Sequence, residues 1–237
     1  MPIVEALVLN GWENAEENVN SAELIFIDDG SRDDTLEKIQ DAFNDYNNPK
    51  VEFKFIKHAT NLGLGAAIRT GFQNSNGEIV MTVDSDGTYK FSEIPALLSF
   101  LTPGVDIVTA SPYHPHGSVM GVPAYRLILS RGSSLIYRVL VDWRIYTYTC
   151  LFRAYRRAVI KNISFKSDGF LAGTEILVKA LFKGYRVAEF PAILTRRMYG
   201  VSKARIAQTI SSHLLFQGWV FAQRIRLLFG IKPERIN

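Results

Sequence analysis

The sequence predicts an α/β fold, with a mostly parallel sheet flanked by helices in a single domain. Short runs rich in β-branched and aromatic residues alternate with longer segments of helical periodicity. Two of these runs stop in carboxylates and glycine, at Asp28-Asp29 and at Asp84–Asp86. In an open parallel sheet such strand ends face the ligand crevice, so they predict a site for a polar ligand. The 237 residues are 47% hydrophobic and 21% charged, enough for one sizeable core.

Six strands are predicted where short apolar runs are bounded by turn residues. In chain order they cover residues 6–9, 24–27, 51–56, 79–83, 107–110 and 187–190. The first two are separated by about a dozen residues, close to the minimum for a parallel crossover that carries a helix. We therefore expect a shortened or altered N-terminal unit.

Helices are predicted between these strands from start and stop signals. Ser31 and Asp33 are cap residues before the first helix, and a glycine-rich turn precedes the second. The predicted helices cover residues 35–46, 65–73, 91–100, 124–141, 174–183 and 203–228. We expect residues 1–203 to form the α/β domain and residues 204–237 to form an amphipathic helical segment.

Charge and cysteine content narrow the classes of partner. The formal net charge of +4 is too mild to indicate nucleic acid, but it suits an anionic substrate or an anionic membrane surface. Cys150 is the only cysteine, so no internal disulfide forms and a reducing compartment is permitted. The sequence shows neither a signal-peptide pattern nor a run of about 18 apolar residues, so a cytoplasmic protein is expected.

The D-S-D-G segment is the candidate metal site. Asp84 and Asp86 lie two residues apart in a turn, so both carboxylates can approach one cation. Mg²⁺ and Mn²⁺ prefer such oxygen ligands, usually one or two carboxylates completed by substrate phosphates. The alternative is an ordinary solvated turn, because Asp and Gly are turn residues.

The D-D-G-S-R-D-D-T segment is the candidate nucleoside site. Asp28 or Asp29 would accept hydrogen bonds from a nucleobase or a ribose. The alternative is a helix cap, in which Asp and Ser satisfy free N–H groups. The N-L-G-L-G-A-A-I-R-T-G segment fits neither a Rossmann fingerprint nor a Walker loop, so we interpret it as a tight turn before a closely packed helix, with Arg69 free to face the donor.

These segments, in this order and spacing, resemble the family 2 glycosyltransferases of the GT-A fold. Within that family the chain looks most like the dolichyl- or polyprenyl-phosphate sugar synthases. The resemblance extends from about residue 23 to residue 203. It is carried by DDGSRDDT, NLGLGAAIRTGF, VDSDGTY, SRGSSLIYR, TCLFRAYRR and, most specifically, EFPAILTRRMYGVSK.

The resemblance implies roles on the donor side of the site. Asp28 and Asp29 fall on the nucleotide-binding pair. Asp84 and Asp86 fall on the D-x-D motif that binds the metal and the donor diphosphate, with Asp86 as a catalytic residue. The implied cofactor is Mg²⁺ or Mn²⁺.

The resemblance also implies roles on the phosphate and acceptor side. Arg197, Ser202 and Lys203 fall on a segment that closes over phosphate groups, with Arg197 and Lys203 as catalytic residues. Arg131 falls on a basic position near the acceptor phosphate. Glu175 falls on an acidic residue of the helix near the acceptor, where it is the candidate base for a hydroxyl acceptor.

Elementary electrostatics supports the need for several cations. Two anionic phosphates must be brought together, which requires a metal ion and fixed positive side chains. The candidates are Arg131, Arg153, Arg197 and Lys203. The alternative interpretation of each is a solvated charge on the surface, where most Arg and Lys side chains lie. The glycine and serine between Arg197 and Lys203 give that segment the composition of a lid.

Three departures from the family pattern bear on donor and acceptor choice. Asn10, Trp12 and Asn14 stand where the family's first strand carries Pro, Tyr and Glu. The family's D-x-T-S-G-F-R reads T-Y-T-C-L-F-R from Thr147, without the Asp and the Gly. Pro112 replaces an Arg that often follows the fifth strand.

The resemblance therefore implies a metal-dependent, inverting transfer from a nucleotide sugar of the GDP-mannose or UDP-glucose type to a polyprenyl or dolichyl phosphate. Three alternatives stay open: a family 2 transferase for a glycan or soluble hydroxyl acceptor, a nucleotidyltransferase, and an inactive nucleotide-binding relative.

An acceptor lipid implies contact with a membrane. Residues 203–228 mix Leu, Phe and Trp with Arg205, Arg224 and Arg226, so this helix could lie on an anionic bilayer. We expect a peripheral protein at the cytoplasmic membrane face, or one with a membrane-anchoring partner. The alternative is an ordinary helix that packs on the domain.

Overall fold

The strands form one four-stranded sheet and two parallel pairs in the computed structural model, which describes residues 21–198 and 206–230. The predicted strand at residues 6–9 lies outside these residues. The strands are β1 Ala22–Asp28, β2 Val51–Lys57, β3 Ile79–Thr82, β4 Ile107–Ser111, β5 Ser118–Met120, β6 Arg153–Arg156, β7 Val187–Pro191 and β8 Ile193–Thr195. The five predicted strands within the described residues are confirmed, with ends that shift by at most two residues.

Helices connect the strands much as predicted. They are α1 Thr35–Phe43, α2 Leu64–Asn74, α3 Ile94–Ser99, α4 Ala124–Leu140, α5 Arg157–Asn162, α6 Ala172–Phe182 and α7 Ile206–Leu228. A 3₁₀ turn, Phe91–Glu93, replaces the first turn of the third predicted helix because Pro95 sits at the start of α3. The short α5 was not predicted. The boundary at residue 203 stays a prediction.

The pair β1 and β2 is parallel and carries the first acidic turn. Ala22 pairs with Val51 and Asp28 pairs with Lys57, so both strands end together. The Phe26 and Phe55 rings stack across the pair with centroids 5.3 Å apart. These aromatic contacts hold the strand ends in register.

The four-stranded sheet has the order β3-β6-β4-β7 and is mixed. β4 and β7 are parallel, whereas β6 runs antiparallel between β3 and β4. The predicted α/β fold is confirmed, and β6 adds an antiparallel strand at its centre. Its sequence, R-A-Y-R, is short and ends in arginines, so no apolar run marked it as a strand.

Helix α6 and the pair α4 and α7 cover the sheet. Nine of the eleven residues of α6 are buried, including Ile176 and Leu177 in the main hydrophobic core. Tyr137 of α4 and Val220 of α7 belong to the same core. This packing fixes the helices beside the strand ends that carry the acidic turns.

Candidate active site

The acidic turn after β3 opens onto a cleft of about 180 Å³. The residues that line it are Asp84, Asp86, Thr88, Tyr89, Pro112, Tyr113, Ser130, Thr147, Thr149, Cys150, Leu151, Phe170, Leu194 and Arg197. Among these residues only the two aspartates and the arginine carry charge. The cleft therefore has one ionic end and one neutral wall.

Asp86 is held by the backbone and side chains around it. Its Oδ1 accepts hydrogen bonds from the amide and hydroxyl of Thr88, at 3.0 and 2.7 Å. Its Oδ2 lies 2.8 Å from Nη2 of Arg197. Gly87 follows with φ +74°, a conformation that favours glycine, and Met198 packs where a Cβ would stand. The turn thus presents Asp86 in one fixed orientation.

Asp84 has a strongly perturbed carboxyl group. Its pKa is raised to about 6, first by burial and then by the nearby Asp86 carboxylate, while Arg197 opposes the shift. Two carboxylates that share a site and repel each other favour the binding of a cation between them. This perturbation marks the turn as a candidate functional site.

The two carboxylates fit half of a magnesium or manganese site. Aspartate oxygens are the correct ligand type, and both lie in the wall of one cleft. The described part of the chain holds no cluster of three or more His, Cys, Asp and Glu residues suited to a metal. Phosphate and water oxygens would therefore complete the coordination, as is usual for Mg²⁺ bound with a nucleotide.

The neutral wall of the cleft is rich in hydroxyl groups that the sequence analysis did not select. Ser130 of α4 and Thr149 are joined by a 2.6 Å hydrogen bond, and Thr147 bonds Ser111 at 2.7 Å. Burial raises the pKa of Cys150 to about 11, so this thiol is protonated. A polyhydroxylated ligand such as a hexose suits such a wall. The sequence signals for it were the SRGSSLIYR motif, which begins at Ser130, and the departure that begins at Thr147.

The first acidic turn, in contrast, is used within the fold. Asp29 Oδ1 lies 2.7 Å from Nδ1 of His58, and the two carboxylate oxygens accept the amides of Leu62 and Gly63 at 2.9 and 2.8 Å. Although burial acts to raise it, these hydrogen bonds hold the pKa of Asp29 below its ordinary value. The nucleoside-binding role assigned to this residue stays a prediction.

Asp28 accepts fewer hydrogen bonds than Asp29, although its side chain is more deeply buried. One oxygen accepts the amide of Ser31 at 2.9 Å, whereas Oδ2 is buried and has no hydrogen-bond partner within the described residues. Lys57 lies 3.7 Å from that oxygen. Neither Asp28 nor Asp29 is among the lining residues of the cleft. A nucleoside role for Asp28 also stays a prediction.

Glu175 is buried within α6 and its carboxylate is fully engaged. It accepts the amides of Lys166 and Ser167, at 3.1 and 2.9 Å, and forms a 2.9 Å ion pair with Lys179. It is not among the residues that line the cleft. These contacts give it a structural role in holding the preceding loop, and its proposed role as a base stays untested.

The basic candidates separate into three groups. Arg197 lies at the cleft, as the resemblance implied. Arg131 is exposed on α4, with its guanidinium 5.1 Å from the ring of cleft residue Tyr113. Arg153 corrects the sequence interpretation: it is completely buried and donates to the Gly173 carbonyl at 2.6 Å, so it is not a phosphate ligand.

Ser202 and Lys203 lie outside the described residues, as do Asn10, Trp12 and Asn14. Arg69, which the sequence left free to face the donor, is not among the residues that line the cleft. It pairs with Asp168 and donates to the Ser167 carbonyl, which ties α2 to the loop before α6. The glycine-rich turn before α2 has the structural role that the sequence indicated, since Gly65 packs against that same loop.

Comparison with known proteins connects this site to a family. Residues 6–164 match the model of glycosyl transferase family 2. Polyprenol monophosphomannose synthase of Mycolicibacterium smegmatis is 32% identical over 187 residues, which cover 76% of this chain and 69% of that protein. Dolichol-phosphate mannosyltransferase of Pyrococcus furiosus is 29% identical over 204 residues, 85% of this chain but only 55% of that protein.

Solved structures share the fold at lower identity. Glucosyl-3-phosphoglycerate synthase of Mycobacterium tuberculosis with phosphoglyceric acid superposes over 98% of this chain and 77% of that chain, with a TM-score of 0.63 and 17% identity. The same enzyme with Mn²⁺, uridine diphosphate and glucosyl-3-phosphoglycerate gives a TM-score of 0.56 at 19% identity, over 90% of this chain and 70% of that chain. These similarities establish the GT-A fold.

Proposed function

The chain belongs to glycosyl transferase family 2, and we propose that it transfers a hexose from a nucleotide sugar to the phosphate of a polyprenyl or dolichyl lipid. Membership makes it a hexosyltransferase that uses a nucleotide sugar. The names of the two relatives at 32% and 29% identity support the lipid phosphate acceptor. The chain spans little more than half of the second relative, so its substrates are proposals.

One observation carries the proposal: the cleft joins an ionic end to a neutral, hydroxyl-lined wall. Asp84, Asp86 and Arg197 form the ionic end, where a donor diphosphate with its cation would bind. Ser130 and Thr149 belong to the neutral wall, where the hydroxyl groups of a sugar would find hydrogen-bond partners. A nucleotide sugar has the same two halves.

Asp84 and Asp86 are the residues that would hold Mg²⁺ or Mn²⁺. When bound, the ion stabilises negative charge on the departing nucleotide diphosphate. The Mn²⁺-bound state of the fold relative from Mycobacterium tuberculosis is consistent with this choice of metal. Thr88 keeps the Asp86 carboxylate oriented through two hydrogen bonds.

A lipid phosphate acceptor would not require a strong base in the cleft. A phosphate oxygen is already anionic at neutral pH, so it attacks the anomeric carbon directly. The bond from that carbon to the diphosphate oxygen breaks, its electron pair stays on the leaving diphosphate, and the configuration inverts. No histidine is among the described residues that line the cleft, and its two carboxylates would be engaged by the cation. A hydroxyl acceptor would need a base there.

The surface of α7 supports action at a membrane. Its polar residues Gln217 and Gln223 are buried together with Val220, whereas many of its apolar residues face outward. Six of them form what we call the exposed stripe, and Leu215 and Leu227 are exposed as well: the stripe is Ile206, Ile210, Leu214, Phe221, Ile225 and Leu228. So many exposed apolar side chains on one helix indicate an apolar environment on the outer side.

Neighbouring side chains extend this apolar stripe. Ile128, Leu135 and Val139 of α4 are 71%, 58% and 76% exposed, and α4 packs directly against α7. Arg224 is exposed beside the stripe and suits anionic lipid headgroups. Within residues 21–198 and 206–230, no helix meets the length and hydropathy needed to span a bilayer. We therefore propose peripheral contact at the cytoplasmic face, directly or beside a membrane-anchoring partner.

Transfer is tested with vesicles that contain a polyprenyl phosphate, Mn²⁺ and radiolabelled GDP-mannose or UDP-glucose. The expected product is an organic-soluble, acid-labile glycosyl phosphate. Vesicles without the lipid phosphate and the Asp86→Asn variant are the controls. Label found only on an added soluble hydroxyl acceptor would replace the lipid proposal with the soluble one. Nucleotide binding without transfer to any acceptor would indicate an inactive relative.

Membrane contact is tested by flotation with anionic vesicles. We expect Phe221→Glu to reduce the bound fraction severalfold, because it places a charge in the stripe. Gln208→Glu is the matched control, since Gln208 is exposed on the same helix outside the stripe. Equal flotation of both variants would contradict the assignment of the stripe to the membrane.

A further inference from the structure

We propose that Arg197 is a positioning residue that takes the place of a cation on Asp86 until the nucleotide sugar binds, so that tight metal binding depends on the donor's diphosphate. The inference rests on the proposed function, since it assumes that Asp86 is a metal ligand. It adds a binding order to that function: the metal and the nucleotide strengthen each other, and Arg197 sets how strongly.

Both oxygens of Asp86 already have partners. Thr88 donates twice to Oδ1, and the Arg197 guanidinium lies 2.8 Å from Oδ2. The two side chains are 14% and 28% exposed, so the pair is partly shielded from water. A metal ion binds a carboxylate oxygen at about 2.0–2.1 Å. With the guanidinium at Oδ2, its positive charge repels a divalent ion and weakens the ligand strength of that oxygen, so metal binding is opposed until Arg197 moves.

The backbone around Arg197 is fixed to the acidic turn. The amide of Met198 donates to the Asp86 carbonyl at 3.0 Å, and the amide of Thr195 donates to the Thr88 carbonyl at 3.0 Å. These bonds lie on both sides of Arg197 in the chain. The guanidinium can therefore change partners by rotating its own side chain, while the backbone of this segment remains in place.

The guanidinium of Arg197 also has one N–H donor, on Nε, that is not used by the described residues. Nε of Arg197 is buried and has no hydrogen-bond partner within the described residues. An unsatisfied buried donor is costly, and a guanidinium forms its best contacts as a two-pronged donor to phosphate. A donor diphosphate at the ionic end of the cleft would satisfy Nε and draw Arg197 away from Asp86.

The charges of the three residues give the coupling its sign. With Arg197 on Asp86, the guanidinium cancels one of the two carboxylate charges, so the bare turn attracts a divalent ion weakly. When a diphosphate takes the guanidinium, the second carboxylate is released and the phosphate oxygens add ligands. Each event favours the other, and linkage requires the enhancement to be equal in both directions.

The test is direct measurement of Mn²⁺ affinity from the electron paramagnetic resonance signal of free Mn²⁺, with and without GDP or UDP. Without nucleotide, Arg197→Gln should bind Mn²⁺ about fivefold more tightly than wild type. The nucleotide should improve wild-type affinity by about tenfold or more, and that of the variant by roughly threefold or less. Arg197→Lys keeps the charge and should stay near wild type in the absence of nucleotide.

Arg196→Gln is the matched control, because Arg196 is exposed in the same segment and has no ion pair within the described residues. It should behave as wild type. Equal or weaker Mn²⁺ binding by Arg197→Gln, or no enhancement by nucleotide in wild type, would overturn the inference. Asp86→Asn separates this failure from that of the proposed function: if it retains Mn²⁺ affinity, the metal site itself is wrong.

Discussion

The turns after β1 and β3 are alike in sequence but differ in what occupies their carboxylates. Each follows an apolar strand and carries two aspartates and a glycine. Asp29 is satisfied by three groups from the segment at residues 58–63, which closes over it. Asp86 faces a cleft, and the one charged group on its outer oxygen belongs to Arg197.

The two turns differ in the kind of group that contacts the carboxylate: backbone amides and a histidine at Asp29, and an arginine side chain at Asp86. Backbone amides cannot leave a carboxylate without unfolding a loop, so the observed contacts of Asp29 stabilise the fold. A guanidinium at the wall of a cleft can move, so Asp86 is available to a ligand. We therefore expect the mobility of the partner, more than the presence of paired acids, to distinguish an acidic turn that stabilises the fold from one that binds a ligand.

The comparison predicts its largest effect at Asp86. We expect Asp86→Asn to lower the transfer rate by about a hundredfold or more, because the charge that holds the metal on the diphosphate is lost. Its free energy of unfolding should change by less than about 1 kcal/mol, since a partly exposed ion pair contributes little. Initial rates and urea denaturation measure the two. Unchanged transfer would end the metal role.

The mobility of the partners can also be tested at a third carboxylate, Glu175, whose partners are two backbone amides and a buried lysine. Glu175→Gln should reduce the free energy of unfolding by about 3 kcal/mol, because it leaves the buried Lys179 ammonium without its counter-charge. Transfer per folded molecule should persist. Glu37→Gln, at an exposed position of α1, is the control in urea denaturation. A folded Glu175→Gln protein that fails to transfer would restore the catalytic assignment.

Asp29→Asn should lower the free energy of unfolding and have little effect on the transfer rate, the opposite of what we expect for Asp86→Asn. We expect a loss of about 2 kcal/mol in the free energy of unfolding, because charged hydrogen bonds to His58 and two amides are weakened. Asp45→Asn, at an exposed position after α1, should leave stability unchanged. If the Asp29 variant is instead fully stable and weak in nucleotide binding, the nucleoside prediction gains over the structural one.

The last prediction is an opposite pH dependence of the free energy of unfolding in the two turns, on the order of 1–3 kcal/mol. The lowered pKa of Asp29 gives stability that is present above its ordinary pKa of 3.8 and is lost as the pH falls further. The pKa of Asp84, raised to about 6, gives stability that is full below 3.8 and is lost as the pH rises through about 6.

The metal-free protein reveals this difference in denaturation curves recorded from about pH 3.5 to 7.5. Asp84→Asn should flatten the decline in stability between about pH 4 and pH 6. Asp29→Asn should flatten the rise on the acid side. Superimposable curves for wild type and Asp84→Asn would show that this carboxyl is not perturbed.

The sequence was sufficient where hydrophobic runs set the structure. The predicted ends of β1, β2, β4 and β7 agree with the observed ones within two residues, since each is a compact apolar run. Strand β6 was not predicted, because its arginines donate to backbone carbonyls inside the protein, which a run of charged residues does not indicate. The three-residue strands β5 and β8 are too short to show a period.

Within the site, the sequence located the ionic end but not the neutral wall. Asp84, Asp86 and Arg197 are charged residues in marked motifs and were predicted. Thr149 and Ser130 are common residue types that become a wall only when α4 meets the chain before β6. The burial of Arg153 was equally hidden, because its carbonyl partner on Gly173 is 20 positions away.

The exposed apolar surface of α7 has a consequence for handling the protein. No other described residue covers the outward Leu, Ile and Phe side chains, so in dilute buffer we expect them to drive concentration-dependent self-association. Material prepared without detergent or lipid would then conceal the face that we propose meets the acceptor membrane. A low rate measured in such a preparation would report the assembly state of the sample, while the chemistry of the cleft was intact.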